Sequence, residues 1–296
     1  MTLPVFEEHL VTTVDGVTLA AQTWGAGDTT IVIANGLGGT LIAWTPLLRA
    51  FEHTIRFISW DYRGLYGSSR PTNLEQLAVA DHVRDMRAVM DHFGVNRAVV
   101  AGWSMGVQVC IQAAADLGDR VQGVVLINGT YGKVFETAFT LPGSRHALPI
   151  LNKLAIKAAP LLPSAVKHVT RRSWFLPLIE QIGLVDQRLD REVFLAIAQG
   201  FDRLDFEVYH LIMDQLNQHD GAGALDAIDV PLLMIAGDKD AMTPASVRHV
   251  IHQRVRHAQS HVIPGGTHYT LLEYPDAVIA RIEQWLNEHA ETFDAQ

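Results

Sequence analysis

Ala98-Val99-Val100-Ala101-Gly102-Trp103-Ser104-Met105-Gly106-Val107 is the stretch that decides the fold. Residues 98–101 read as a short buried strand, and residues 105–116 read as a helix that leaves it at once. Between them, Gly102-Trp103-Ser104-Met105-Gly106 has the spacing Gly-x-Ser-x-Gly. A random chain of similar length shows that spacing about one time in ten, so the strand and helix around it carry the reading. A turn this tight holds its central residue in an unfavourable backbone conformation, and the flanking glycines remove Cβ atoms that would clash. The Ser104 hydroxyl is then presented at the sheet edge, beside a helix N-terminus that favours negative charge. The plain alternative is a glycine-rich turn with an incidental serine.

Short apolar runs of the same kind recur at 18–23, 31–34, 56–60, 121–127, 231–236 and 260–263, most of them ending in Gly, Asn or Asp. They fit strands buried on both faces of a mostly parallel sheet. Helical patterns separate them. Thr72-x-x-Glu75 reads as a capping box opening one helix, and residues 243–256, with Pro244 at the first position, give another. Residues 275–289 carry Val278, Ile282, Trp285 and Leu286 on one stripe. This alternation predicts an α/β fold with a doubly wound sheet.

The alternation stops near Tyr131 and resumes near Val230. That stretch shows helical stripes, Leu151/Leu154/Ala155/Ala158 and Tyr209/Ile212/Met213/Leu216, and is too long for a structureless loop. It predicts a helical lid insertion at 131–229, over the carboxyl edge of a core formed by 1–130 and 230–296. Between Glu136 and Glu180 there is no acidic residue but there are six cations: Arg145, Lys153, Lys157, Lys167, Arg171 and Arg172. Such a run is most simply a solvated face; with the apolar residues among them, the 145–176 region could also rest on an anionic membrane.

The 296 residues carry a formal charge of −9, with 48% hydrophobic and 19% charged residues. That excludes a disordered tail protein and argues against a nucleic-acid partner, which needs a concentrated basic surface. Cys110 is the single cysteine, so no internal disulfide forms and a reducing, cytoplasmic location is expected. The first residues lack a cationic segment followed by an apolar one, and no window of about 18 apolar residues occurs. There is no His-Glu-x-x-His, no cysteine cluster, no Gly-x-Gly-x-x-Gly and no Walker pattern. Neither a metal nor a nucleotide cofactor is expected.

From about Thr18 to His289 the chain resembles the α/β-hydrolase fold superfamily, in its serine esterase and lipase-like form. Gly36-Leu37-Gly38-Gly39 resembles the oxyanion loop, Asp61-Tyr62-Arg63-Gly64 the Asp-x-Arg-Gly segment, Gly237-Asp238-Lys239-Asp240 the Gly-x-x-Asp that carries the acid, and Gly266-Thr267-His268 the Gly-x-His that carries the base. Two features depart from the pattern. Asn35-Gly36 stands where the family has His-Gly, and Gly64-Leu65-Tyr66-Gly67-Ser68-Ser69 is one residue longer than Gly-x-Gly-x-Ser.

The resemblance implies a Ser104–Asp240–His268 triad, with the backbone N–H groups of Leu37 and Met105 as oxyanion donors. Asp238, the rival acid, is assigned to the turn. Trp103 is either a wall of the acyl cleft or a core residue. The implied activity is cofactor-free hydrolysis of a hydrophobic, small-molecule carboxylic ester through an acyl-enzyme. The same machinery could serve a thioester, lactone, amide or carbon–carbon bond, or a lyase or ligand receptor could use the scaffold.

Overall fold

Along each central strand, successive side chains enter two different apolar layers, which is why these runs are apolar throughout rather than alternating with polar residues. The computed structural model describes residues 3–137 and 143–294; the other residues of the ranges above, 1–2, 138–142 and 295–296, lie outside the described residues. Eight strands form one sheet: β1 (Glu7–Thr12), β2 (Thr18–Trp24), β3 (Thr29–Ala34), β4 (Ile55–Trp60), β5 (Ala98–Trp103), β6 (Val121–Ile127), β7 (Leu232–Gly237) and β8 (Ala258–Ile263). Their order is β1-β2-β4-β3-β5-β6-β7-β8. β1 pairs with β2, and β2 with β4, antiparallel; every other pairing is parallel.

Val32, Val100, Val124, Leu126, Leu232 and Met234 face one core layer. Their neighbours Ile31, Ile33, Val99, Val125, Leu233 and Ile235 face the other. The first layer is covered by α2 (Val79–His92) and α3 (Met105–Leu117), the second by α1 (Thr45–Ala50). Fully burying each such Val, Ile or Leu stabilises the fold by about 1.5–3 kcal/mol. β1 escapes sequence reading because it is an edge strand, Glu-Glu-His-Leu-Val-Thr, in which only Val11 is buried.

Thr72 and Glu75 do not cap α2. Glu75 N–H is held by the Asn73 side chain in a local turn. The helix starts at Val79, where Asp81 accepts from the Ala78 N–H at 2.9 Å and does the work assigned to the earlier box. The buried Arg63 pairs with Asp85 and Asp15, tying the loop after β4 to α2 and to the β1–β2 turn.

The chain between β6 and β7 contributes only helices among the described residues: α4 (Val134–Thr137), α5 (Ser144–Ala158), α6 (Leu162–Thr170), α7 (Phe175–Gln181), α8 (Arg191–Gly200), α9 (Phe206–Gln218) and α10 (Ala222–Leu225). α5 lies differently from its expected stripe. Asn152 is buried, whereas Leu151 and Leu154 are 57% and 55% exposed. After β7 come α11 (Ala245–Arg254), which starts just past Pro244, then, following β8, α12 (Thr270–Glu273), α13 (Pro275–Glu288) and α14 (Ala290–Asp294). No helix among the described residues is long and apolar enough to cross a membrane.

Candidate active site

Ser104 sits between β5 and α3 with φ 56° and ψ −114°, a conformation that non-glycine residues rarely adopt. The turn closes because two glycines flank it. A Cβ on Gly102 would lie 2.3 Å from the Gly106 carbonyl oxygen, and one on Gly106 would lie 1.9 Å from that of Ala34. Ser104 N–H donates to the Ile127 carbonyl at 3.1 Å, so the elbow is also pinned to the end of β6.

Three loops meet the serine at the carboxyl edge of the parallel strands. His268 follows β8 and the 264–266 turn, and its Nε2 lies 2.9 Å from Ser104 Oγ. Its Nδ1 lies 2.9 Å from Oδ2 of Asp240, in the loop after β7. The hydroxyl thus faces one imidazole nitrogen and the carboxylate fixes the other. Both His268 and Asp240 are buried, at 7% and 5% exposure. Burial acts to raise the Asp240 carboxyl, but the facing His268 ring, by charge and hydrogen bond, and the Met242 N–H outweigh it and hold the group at about 2. Asp238 accepts from the Gly265 N–H instead, so it serves the turn, as expected for the rival acid.

The loop after β3 forms a tight turn, with Gly39 N–H donating to the Gly36 carbonyl at 2.8 Å and Gly38 at φ +75°. In such a turn the N–H of the second residue, Leu37, is not used. Met105 opens α3, and a first-turn N–H has no partner inside its own helix. Leu37 and Met105 border the same cavity as Ser104. Asn35, in place of the usual His, is a buried hub: Nδ2 donates to Ser59 Oγ, Oδ1 accepts from Trp44 Nε1, and its carbonyl accepts from Tyr62 Oη. The longer loop after Gly64 places the Tyr66 hydroxyl on the Gly38 carbonyl at 2.5 Å, with Tyr66 itself at φ 48°.

The cavity has a volume of about 450 Å³. Met105, Val134, Phe135, Leu148, Met213 and Leu216 form part of its apolar wall, and among the described residues no Asp, Glu, Lys or Arg lines it. Trp103 borders the cavity, packs in the second core layer, and donates from Nε1 to the His268 carbonyl at 3.0 Å.

Two supports escaped the sequence. Asn128, at the end of β6 with φ 48°, donates from Nδ2 to Asp240 Oδ2 at 2.9 Å and to the Thr267 carbonyl at 2.6 Å. Buried Glu273 accepts from the Thr267 N–H and hydroxyl and from the Asp186 N–H, fixing the His268 loop. Asn128-Gly129 after an apolar run marked the turn, but no local pattern pointed from there to residue 240. No group of three or more potential metal ligands occurs among the described residues.

The chain matches the alpha/beta hydrolase fold family over residues 29–275, and it belongs to that family. It is 27% identical over 285 residues to a Caulobacter sp. (strain K31) protein named "Putative carbamate hydrolase RutD", covering 94% of this chain and 98% of that one. It is 26% identical over 286 residues to 3-oxoadipate enol-lactonase 2 of Acinetobacter baylyi, covering 95% and 97%. Among solved structures, the enol-lactonase of Burkholderia xenovorans LB400 superposes with a TM-score of 0.74 at 22% identity, over 94% of this chain and 100% of the other; that likeness is one of fold.

Proposed function

We propose that the protein is a serine hydrolase that cleaves a carboxylic ester through an acyl-enzyme. Ser104 attacks the carbonyl carbon while its proton passes to His268 Nε2. The ester C–O bond then breaks, and the same proton goes to the departing alkoxide. Water, deprotonated by His268, releases the acid. Asp240 keeps the His268 proton on Nδ1 and stabilises the imidazolium. The N–H groups of Leu37 and Met105 receive the oxyanion, and each such donor typically contributes about 2.7–4 kcal/mol to the transition state. The observation that carries this reading is the pair of 2.9 Å contacts, Ser104 Oγ to His268 Nε2 and His268 Nδ1 to Asp240 Oδ2.

The substrate is a small, uncharged, largely apolar ester: a carboxylate or ammonium on it would find no Asp, Glu, Lys or Arg among the described residues of the cavity wall. A lactone is a cyclic ester and falls within the same chemistry, and the similarity to an enol-lactonase favours including it. In this reading residues 131–229 are a cap over the core formed by 1–130 and 230–296, and the protein is cytoplasmic. The cap also makes peripheral contact with an anionic membrane. Along α7 it exposes Trp174, Leu178 and Ile182 at helical spacing, and Lys167, Arg171 and Arg172 precede them in the chain, with Arg171 paired to Asp202. Co-flotation with phosphatidylglycerol vesicles at low salt, absent with phosphatidylcholine, is the expected result for that contact; no flotation with either removes it.

Turnover of p-nitrophenyl esters of increasing chain length, of monoacylglycerols and of simple lactones tests the central reading. Ser104→Ala should retain at most about a thousandth of the wild-type kcat. Undiminished hydrolysis by that variant refutes it.

A further inference from the structure

A second histidine borders the cavity that holds Ser104 and His268. His210, on α9, lies there beside Asn152 of α5. The orientation of the Asn152 amide is fixed by two groups that can only accept. Its Nδ2 donates to the His210 carbonyl at 2.9 Å and to Asp214 Oδ1 at 2.8 Å. Asn152 Oδ1 therefore faces His210 Nδ1, at 2.7 Å, and accepts from it. The His210 proton is thus on Nδ1, and Nε2 keeps its lone pair. Burial lowers the affinity of this ring for a second proton, which keeps that lone pair free. Among the described residues, no hydrogen bond reaches Nε2.

Gln108 provides a separate observation. It lies on α3 one turn beyond Ser104, about 6 Å along the helix axis. It borders the cavity, is 1% exposed, and its Oε1 has no hydrogen-bond partner. That oxygen is out of reach of solvent, so a ligand's donor meets it only once the Gln108 amide turns toward the cavity. The cavity thus joins an apolar wall to His210, whose Nε2 the fold leaves free, and to Gln108, whose amide oxygen is unpaired beneath the cavity surface.

We propose that the ester taken by this site carries a hydrogen-bond donor, a hydroxyl or an N–H, on the portion lying under the cap, and that His210 Nε2 receives it. The proposal rests on the serine-hydrolase reading and narrows its substrate class. His210 and Gln108 act as specificity-determining residues that select among esters; neither touches the reacting atoms.

Matched ester pairs test it. One pair is p-nitrophenyl hexanoate and p-nitrophenyl 6-hydroxyhexanoate; the other is propyl butyrate and glyceryl 1-monobutyrate. The expected result is that the wild-type protein prefers the hydroxylated member of at least one pair by about tenfold or more in kcat/KM. His210→Phe, which keeps a ring beside Tyr209, should bring that ratio close to one, and Gln108→Leu should reduce it. Equal kcat/KM within both pairs in the wild type, or a preference that survives His210→Phe, overturns the proposal while leaving the hydrolase reading intact. Failure of the wild type on all four esters, with Ser104 inert to a fluorophosphonate, overturns both. A thermal midpoint for each variant confirms that the protein being compared is folded.

Discussion

Replacing Asn128 by alanine should remove about 4 kcal/mol of stability and slow turnover at the same time. Asn128 is 1% exposed, and its side chain makes three hydrogen bonds, to Asp240 Oδ2, the Thr267 carbonyl and the Thr270 hydroxyl. The bond to the ionised carboxylate is worth about 1.5–3 kcal/mol, and leaving the Thr267 carbonyl and the Thr270 hydroxyl unmet costs about 1 kcal/mol or more each. Asparagine also tolerates the positive φ at this position better than alanine does. For a chain of this length a loss of about 4 kcal/mol lowers the Tm by about 6 °C. The variant should be followed by urea denaturation at pH 7 and by ester turnover. With Asp240 less firmly held, the imidazole orientation relaxes, and kcat should fall by about tenfold with KM little changed. A Tm within about 2 °C of wild type together with an unchanged kcat would refute the claim that Asn128 fixes the Asp240–Thr267 corner.

Three further outcomes follow from the same geometry. Tyr66→Phe removes the hydroxyl that holds the Gly38 carbonyl; kcat should fall by about tenfold with KM unchanged, and a purely structural role would appear instead as a lower Tm at constant kcat. Gly106→Ala places a Cβ 1.9 Å from the Ala34 carbonyl oxygen, so the elbow cannot close as built; expression should yield little folded protein, and a stable, active variant would count against the packing described. The Asp240 carboxyl, held at about 2, lies below its unfolded value near 3.9, so its contribution, about 2–3 kcal/mol, is complete above about pH 5 and is lost as the pH falls through 2. Urea denaturation of wild type and Asp240→Asn should therefore converge across that window, and a constant difference would contradict the assignment.

The parallel core was legible because β3 to β7 are largely apolar on both faces and most of them run into a glycine, asparagine or aspartate. Residues 98–107 gave both the elbow and its orientation, and Gly237-Asp238-Lys239-Asp240 and Gly266-Thr267-His268 each lie where a strand delivers them to the same edge. Less was legible where tertiary contact outweighs local pattern. β1 depends on pairing with β2, since its own side chains are mostly exposed. The capping box at Thr72 lost to Asp81, because the helix begins only where its apolar stripe can reach the core. α5 is turned by the hydrogen bonds of Asn152 to α9, which no spacing within α5 encodes. The roles of Asn128, Glu273 and His210 share one cause: each acts through a partner distant along the chain or on a separate helix.

Mass mapping of the protein after treatment with a fluorophosphonate tests the nucleophile most directly. A single adduct on Ser104, formed by the wild type and abolished in His268→Ala, is the predicted result. An unlabelled Ser104 in protein that still hydrolyses esters, or an adduct that forms equally fast without the imidazole, would contradict it.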